Sequence, residues 1–209
     1  MRSRHRQQSR PGEKRSTGRF RIIAGRWRGR RLEFPALEGV RPTADRVRET
    51  LFNWLQPAIQ GTDCLDLFAG SGALGLEALS RGAAAVTFVD RNPAVVKAIA
   101  AHLGALDCEA GTTVCAEARS FLQRVSGPYD VIFLDPPFGS GLLRDLCQIV
   151  DERACLKPGG RVYLEHPAEA EPPVLPPGWQ VLRSARAGNV SYHLASLPGE
   201  AGHRTVTAT

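Results

Sequence analysis

A glycine-rich turn between a buried strand and a helix places the strongest constraint on the fold of this chain. The stretch FAGSGALGLEAL, 68–79, contains Gly70, Gly72 and Gly75 in the spacing G-x-G-x-x-G. The apolar run CLDLFA, 64–69, precedes it and is typical of a buried strand, and a helix follows. A strand, a glycine turn and a helix in this order begin a βαβ unit whose turn faces a nucleotide-like ligand.

The rest of the chain continues the alternation of strands and helices. Further strands are predicted at 85–90, 112–116, 130–135 and 161–166, with helices at 93–103, around Phe121 and Leu122, and at 142–150. Two last strands, 179–185 and 189–196, predict an antiparallel hairpin. We therefore expect an α/β, Rossmann-like fold: a mostly parallel seven-stranded sheet with an antiparallel C-terminal hairpin and helices on both faces.

Basic residues are concentrated at the N-terminus. Residues 1–31 contain twelve Arg or Lys and one acid, whereas the rest of the chain contains 15 basic and 20 acidic residues. Residues 1–18 have the composition of a disordered basic tail, and 198–209 are also expected to be disordered. Residues 19–40 are predicted to form an arm built on a small β-hairpin. A basic arm on an acidic globule favours contact with a polyanion.

Trp27 lies within the most basic part of this arm, among Arg26, Arg28, Arg30 and Arg31. Its ring could stack on a base while the arginines pair with phosphates. It could equally anchor the arm on the domain. The sequence leaves both interpretations open.

A helix is predicted to follow the arm, with Thr43 as its N-cap. Apolar residues recur at helical spacing over 47–59 and predict a buried face. Arg41, Arg46 and Arg48 would then lie toward the other face.

Two aspartates indicate which ligand the glycine turn holds. Asp66 lies four residues before Gly70, where a carboxylate would repel a pyrophosphate. It would suit a cationic ligand head, such as the ammonium and sulfonium of S-adenosylmethionine. The alternative is that Asp66 caps a helix or is paired in the core. Asp90 ends the second strand and could accept both ribose hydroxyls, which NAD and S-adenosylmethionine share.

The tetrapeptide DPPF, Asp135 to Phe138, follows the fourth strand of this alternation. Two prolines form a rigid turn and cannot continue the strand. The Asp135 carboxylate and the Pro136 carbonyl then offer two acceptors, which match the two N–H donors of an exocyclic amine. Phe138 could stack on the base that carries this amine. The turn therefore indicates transfer of a group to a base amine, with catalysis mostly by positioning.

These motifs resemble those of class I S-adenosylmethionine-dependent methyltransferases that act on exocyclic amines of nucleic acid bases. DPPF resembles their [D/N]-P-P-[F/Y/W] motif, and DLFAGSG their cofactor turn. RIIAGRWRGRRL, RPTADRVRETLFNWL, LDLFAGSGALGLEALSRGA and VIFLDPPF together resemble the RsmD family of bacterial 16S ribosomal RNA guanine methyltransferases. The resemblance extends from about Arg19 to Leu197.

The resemblance implies that residues 41–197 form a methyltransferase domain. It further implies transfer of a methyl group from S-adenosylmethionine to the 2-amino group of one guanine, with S-adenosylhomocysteine as product and no metal. The RNA would belong to an assembled or assembling 30S subunit.

The family pattern also implies residue roles. Catalytic roles fall on Asp135, Pro136, Pro137 and Phe138. Cofactor contacts fall on Asp66, Phe68, Ala69, Gly70, Ser71, Gly72, Asp90, Arg91, Glu117 and Ala118. RNA contacts fall on Arg19, Arg21, Arg26, Trp27, Arg28, Arg30, Arg31, Arg41, Thr43, Arg46 and Arg48. Glu117 stands where the family has an Asp or Asn that meets the adenine amine, and its side chain is longer by one methylene.

Three rival functions remain at this point. A DNA adenine-N6 methyltransferase would share the DPPF turn, an NAD-dependent oxidoreductase would share the glycine spacing, and a non-enzymatic ribosome factor would keep a relic site. Five cysteines without a C-x-x-C motif favour the reducing cytoplasm, and the lack of a long apolar run argues against a membrane span. The protein is expected to act as a monomer, although no sequence feature reports its oligomeric state.

Overall fold

The computed structural model describes residues 17–35, 43–125 and 127–197. The strands are β1 (Thr17–Arg21), β2 (Arg31–Pro35), β3 (Asp63–Asp66), β4 (Ala85–Asp90), β5 (Gly111–Cys115), β6 (Tyr129–Leu134), β7 (Leu156–Pro167), β8 (Gln180–Ala187) and β9 (Val190–Ser196). The helices are α1 (Asp45–Leu55), α2 (Ala73–Ser80), α3 (Pro93–Ala105), α4 (Ala118–Arg124) and α5 (Leu142–Glu152).

Seven strands form one sheet in the order β5-β4-β3-β6-β7-β9-β8. Strands β3 to β7 are parallel, and β9 pairs antiparallel with both β7 and β8. The predicted mostly parallel sheet with an antiparallel C-terminal hairpin is confirmed. The chain runs outward from β3 to β5 and returns to β6, so the order reverses between β3 and β6. Ligands of open α/β sheets bind beyond the strand ends at such a reversal.

The helices cover the sheet in two layers. The first core layer contains apolar side chains of α1, α2, α3 and both strands of the N-terminal hairpin, and the second contains those of α4 and α5. Burial of α1 explains its apolar periodicity, with Leu51, Phe52 and Leu55 fully inaccessible to solvent. In the described part of the chain, no helix is long and apolar enough to cross a membrane.

Two glycines of the turn serve different purposes. Gly72 has φ +78° and begins α2 in the left-handed region, which favours glycine. Gly75 lies inside α2, where a Cβ atom would overlap the ring of Phe88 on β4. Gly75 therefore allows close packing of helix on sheet, as its position in the motif suggests.

The N-terminal arm, described over 17–35, packs on the end of α2. The carboxylate of Glu77 accepts hydrogen bonds from the backbone N–H groups of Ile23 (2.8 Å) and Ala24 (3.0 Å). The Ser80 hydroxyl accepts one from the Trp27 N–H (3.0 Å) and donates one to the Ala24 carbonyl (2.6 Å). Strands β1 and β2 pair antiparallel, so the small hairpin predicted from sequence is present. Polar groups of α2 hold its loop.

Several boundaries differ from the predictions. Thr17 and Gly18, assigned to the disordered tail, are part of β1, where Gly18 pairs with Phe34. Strand β3 ends at Asp66 rather than at Ala69, because the chain turns into the glycine loop there. Residues 1–16, Arg41 and 198–209 lie outside the described residues.

Candidate active site

A small cleft opens where the strand order reverses. We refer to it as the cleft, and its lining residues are Thr43, Asp66, Phe68, Ala69, Gly70, Ser71, Ala73, Leu74 and Asp135. It therefore joins the glycine turn after β3 to the first residue of DPPF after β6. The predicted turn residues and the predicted catalytic carboxylate share one site.

Asp66 is almost fully buried, and one of its oxygens accepts a hydrogen bond from the Gly75 N–H at 3.0 Å. The capping interpretation is therefore realised, although the same side chain also lines the cleft. Burial raises the pKa of Asp66 to about 7, the Gly75 hydrogen bond opposes this rise, and the charge of Asp90 adds to it. A cation placed in the cleft would favour the ionised form.

Asp90 holds the glycine turn against the end of β4. One carboxylate oxygen accepts from the Gly70 N–H at 3.0 Å, and the other accepts from the Asn92 N–H at 2.8 Å. Both bonds use backbone donors, so the carboxylate keeps lone pairs that can accept ribose hydroxyls. Asn92 in turn caps α3 by accepting from the Ala94 N–H.

Glu117 follows β5 and is the N-cap of α4. Its carboxylate accepts from the Ser120 N–H at 2.9 Å. The side chain is exposed, and the desolvation that it does undergo raises its pKa, but hydrogen bonds from Ser120 and Arg119 outweigh this and leave the pKa below its usual value. The departure from Asp or Asn is therefore compatible with a capping role. Contact of Glu117 or Ala118 with a cofactor stays a prediction.

The DPPF turn begins directly after β6. Asp135 is half-buried, Pro136 is buried and Pro137 is exposed. Phe138 leaves half of its surface exposed, an unusual position for a large apolar side chain. Burial raises the pKa of Asp135 well above its usual value, and the nearby charges of Glu165 and Asp66 add to the rise.

Glu165 is a buried acid of the site that sequence reasoning missed. It lies on β7, and the register that pairs Leu134 with Leu164 places it beside Asp135. Its carboxylate accepts a hydrogen bond from the Tyr163 hydroxyl at 2.6 Å. Tyr163 and Glu165 are two positions apart in the predicted strand and therefore share one face of the sheet. This spacing is the sequence signal that could have identified Glu165 as a site residue.

The structure corrects the prediction that Arg48 faces RNA. Its side chain is fully buried, and it donates to the carbonyls of Thr43 (3.1 Å) and Arg21 (2.8 Å) and to the Asp45 carboxylate (2.6 Å). The prediction of Thr43 as N-cap is also wrong. Ala44 occupies that position without a side-chain cap. Thr43 instead lines the cleft beside Asp66.

The outer surface of the arm is basic. Exposed arginines of this surface are Arg19, Arg21, Arg26, Arg28, Arg30 and Arg31, and Arg46 is exposed on α1. Trp27 is partly buried and packs against the core, which supports its anchoring role. The Arg26 guanidinium lies over its ring at 5.4 Å. Stacking of Trp27 on a base stays a prediction.

No group of three or more His, Cys, Asp or Glu side chains within 17–35, 43–125 and 127–197 could hold a metal ion.

The family model described as conserved hypothetical protein 95 matches residues 20–196. Ribosomal RNA small subunit methyltransferase D of Escherichia coli (strain K12) is 44% identical over 178 residues, which are 85% of this chain and 90% of the relative. The protein of the same name from Haemophilus influenzae is 43% identical over 181 residues, 85% of this chain and 93% of the relative. The solved structure of yhhF from Escherichia coli matches with a TM-score of 0.82 at 42% identity, covering 88% of this chain and all (100%) of that one. The chain therefore belongs to the conserved hypothetical protein 95 family, the RsmD family, to which the relatives named ribosomal RNA small subunit methyltransferase D belong.

Proposed function

We propose that this protein transfers a methyl group from S-adenosylmethionine to the exocyclic 2-amino group of a guanine in 16S ribosomal RNA. The observation that carries the proposal is the cleft, in which Asp66 of the glycine turn and Asp135 of DPPF meet. The relatives named ribosomal RNA small subunit methyltransferase D support the RNA class. The enzyme would act as a monomer on an assembled or assembling 30S particle.

The residues present fit S-adenosylmethionine. Gly70 and Gly72 have positive φ values of +49° and +78°, which favour glycine. Because glycine has no side chain, the backbone of this turn can approach a ligand closely. Asp66 would hold the cationic head, and Asp90 would accept the ribose hydroxyls. Phe68, Ala69 and Ser71 would line the same site. When bound, S-adenosylmethionine supplies an electrophilic methyl group.

Asp135 and Pro136 would orient the substrate amine. The Asp135 carboxylate and the Pro136 carbonyl would accept its two N–H groups, which points the nitrogen lone pair toward the cleft. Phe138, half exposed beside them, would stack on the guanine ring. The methylated nitrogen must release a proton, and the Asp135 carboxylate, which would accept one of its N–H groups, is the nearest acceptor. The guanine must leave its stack, or already lie in an exposed loop.

Direct methyl transfer tests the proposal. The purified protein is incubated with S-adenosylmethionine carrying a labelled methyl group and with small subunits from cells that lack this protein, with protein-free 16S RNA, or with DNA. We expect label in ribosomal RNA, recovered as N2-methylguanosine by nucleoside mass spectrometry. Label in DNA adenine would favour the DNA methyltransferase, and binding of NAD without S-adenosylmethionine binding would favour an oxidoreductase.

Cofactor affinity is expected to depend on pH through Asp66. Its pKa of about 7 means that the carboxyl is mostly protonated below neutrality. Because a cationic head favours the ionised form, affinity for S-adenosylmethionine should rise by up to about tenfold per pH unit below pH 7 and level off above it. Isothermal titration calorimetry between pH 5.5 and 8 measures this.

Asp66→Asn is the matched control for this pH dependence. It keeps an acceptor for the Gly75 N–H but does not titrate. Asp135 also has a raised pKa in the same cleft, and it stays in the variant. Equal pH profiles in both proteins would show that Asp66 does not meet the cofactor head.

A further inference from the structure

Arg48 connects the N-terminal arm, helix α1 and the cleft through one buried guanidinium. It donates to the Arg21 carbonyl of β1 at 2.8 Å and to the Asp45 carboxylate of α1 at 2.6 Å. Its Nε donates to the Thr43 carbonyl at 3.1 Å. The side chain is fully inaccessible to solvent, so these partners take the place of water at Nε and Nη2.

One end of this connection is at the cleft. Thr43 lines it together with Asp66, Gly70 and Asp135. The hydrogen bond from Arg48 holds the Thr43 carbonyl and therefore the backbone at this wall of the cleft. A movement of the guanidinium would move a residue that faces the cofactor position.

The other end of this connection is the contact between the N-terminal arm and α2. Glu77 is fully buried, accepts from the Ile23 and Ala24 N–H groups of the arm, and lies 3.6 Å from Arg48 Nη1. Within the described residues, Nη1 has no hydrogen-bond partner. A buried charge needs its partners, so the guanidinium cannot keep its place if the arm, which supplies the Arg21 carbonyl, leaves.

We propose that Arg48 is a positioning residue that makes the cofactor affinity of the cleft depend on how the N-terminal arm is seated on α2. The proposal rests on the function proposed above, since it requires that the cleft bind S-adenosylmethionine. Linkage makes the effect reciprocal: cofactor in the cleft stabilises the seated arm, and contacts that hold the arm in place raise cofactor affinity.

A pair of glycine variants separates seating of the arm from backbone strain. Gly25 (φ +81°) and Gly29 (φ +84°) both lie in the loop of the arm in the left-handed region. A Cβ at Gly25 would overlap the Ser80 carbonyl of α2, whereas a Cβ at Gly29 meets nothing within 4 Å. Gly25→Ala must therefore displace the arm from α2, and Gly29→Ala introduces the same kind of strain without the clash.

The probe is S-adenosylhomocysteine, titrated by calorimetry into the full chain. We expect Gly25→Ala to weaken its binding by about fivefold or more, in the range of typical coupling between sites. Gly29→Ala should stay within about twofold of the unmodified protein, as surface changes usually do. Neither residue lines the cleft. Equal affinities of the two variants would overturn the proposal, whereas failure of the unmodified protein to bind would overturn the proposed function itself.

Arg48→Lys tests whether the effect passes through Arg48. A lysine keeps the charge but has no planar fork that can bridge Thr43 and Arg21. We expect it to weaken S-adenosylhomocysteine binding, and Gly25→Ala added to it should change the affinity by less than about twofold. Full additivity of the two changes would overturn the role of Arg48. Far-UV circular dichroism checks folding, and if Arg48→Lys does not fold, equal affinities of the two glycine variants would still overturn the proposal.

Discussion

Replacement of Asp135 by alanine is expected to slow methyl transfer to small-subunit RNA by at least about 10²-fold, because the amine loses the group that orients it. Asp135 follows the end of β6 and lines the cleft without belonging to the glycine turn. Affinity for S-adenosylhomocysteine should therefore change little. Single-turnover rates with labelled S-adenosylmethionine and calorimetry on the same preparation measure both effects.

Asp135→Asn is the informative companion of the alanine variant. Asparagine keeps a carbonyl that can accept one N–H of the amine, but it cannot take up a proton at neutral pH. We expect its rate to lie between those of the unmodified enzyme and of the alanine variant. Turnover of Asp135→Ala close to that of the unmodified enzyme would refute the role proposed for this carboxylate.

The parts of the fold that the sequence predicted depend on short-range patterns. The glycine turn, the alternation of strands and helices and the positions of Asp66 and Asp135 at strand ends are all local features. Parallel strands then bring their carboxyl ends to one edge, which is why the two aspartates meet in the cleft. Local spacing combined with the rules of parallel sheets was sufficient for this part of the site.

The buried charges could not be predicted in the same way. Helical periodicity placed Arg48 on a surface face, but its hydrogen-bond partner Arg21 is 27 positions away in the chain. Glu77 lies in an apolar helix, and its burial follows from arm N–H groups 53 and 54 positions away. Periodicity reports which face of a helix is apolar, not which distant segment covers the other face.

The corrected position of Arg48 also changes how the arm should be tested for RNA binding. Truncation of the arm would remove Phe20 and Ile22 from the core and leave Glu77 and Arg48 without their arm partners. Such a truncation would damage the fold as well as any RNA contact. Substitution of exposed arginines, with the arm left in place, isolates the charge.

The variant Arg26→Gln, Arg28→Gln and Arg31→Gln is expected to weaken binding to 16S RNA by about tenfold to a hundredfold at 0.15 M salt, since each exposed ionic contact contributes up to about 1 kcal/mol. All three side chains are exposed on the arm. Loss of three phosphate contacts should also make the plot of log affinity against log salt shallower by about 2 to 3 units, because fewer counterions are released. Filter binding over a salt series measures both.

A second triple variant provides the matched control: Arg124→Gln, Arg153→Gln and Arg183→Gln. These arginines are also exposed, but they lie on α4, after α5 and on β8, away from the arm. The net charge changes by the same amount, so a general effect of charge would affect both variants equally. Only the arm variant should show the shallower salt dependence. Identical slopes for the two variants would mean that RNA does not bind to the basic face of the arm, and the search for its contact surface would move to the residues around Phe138.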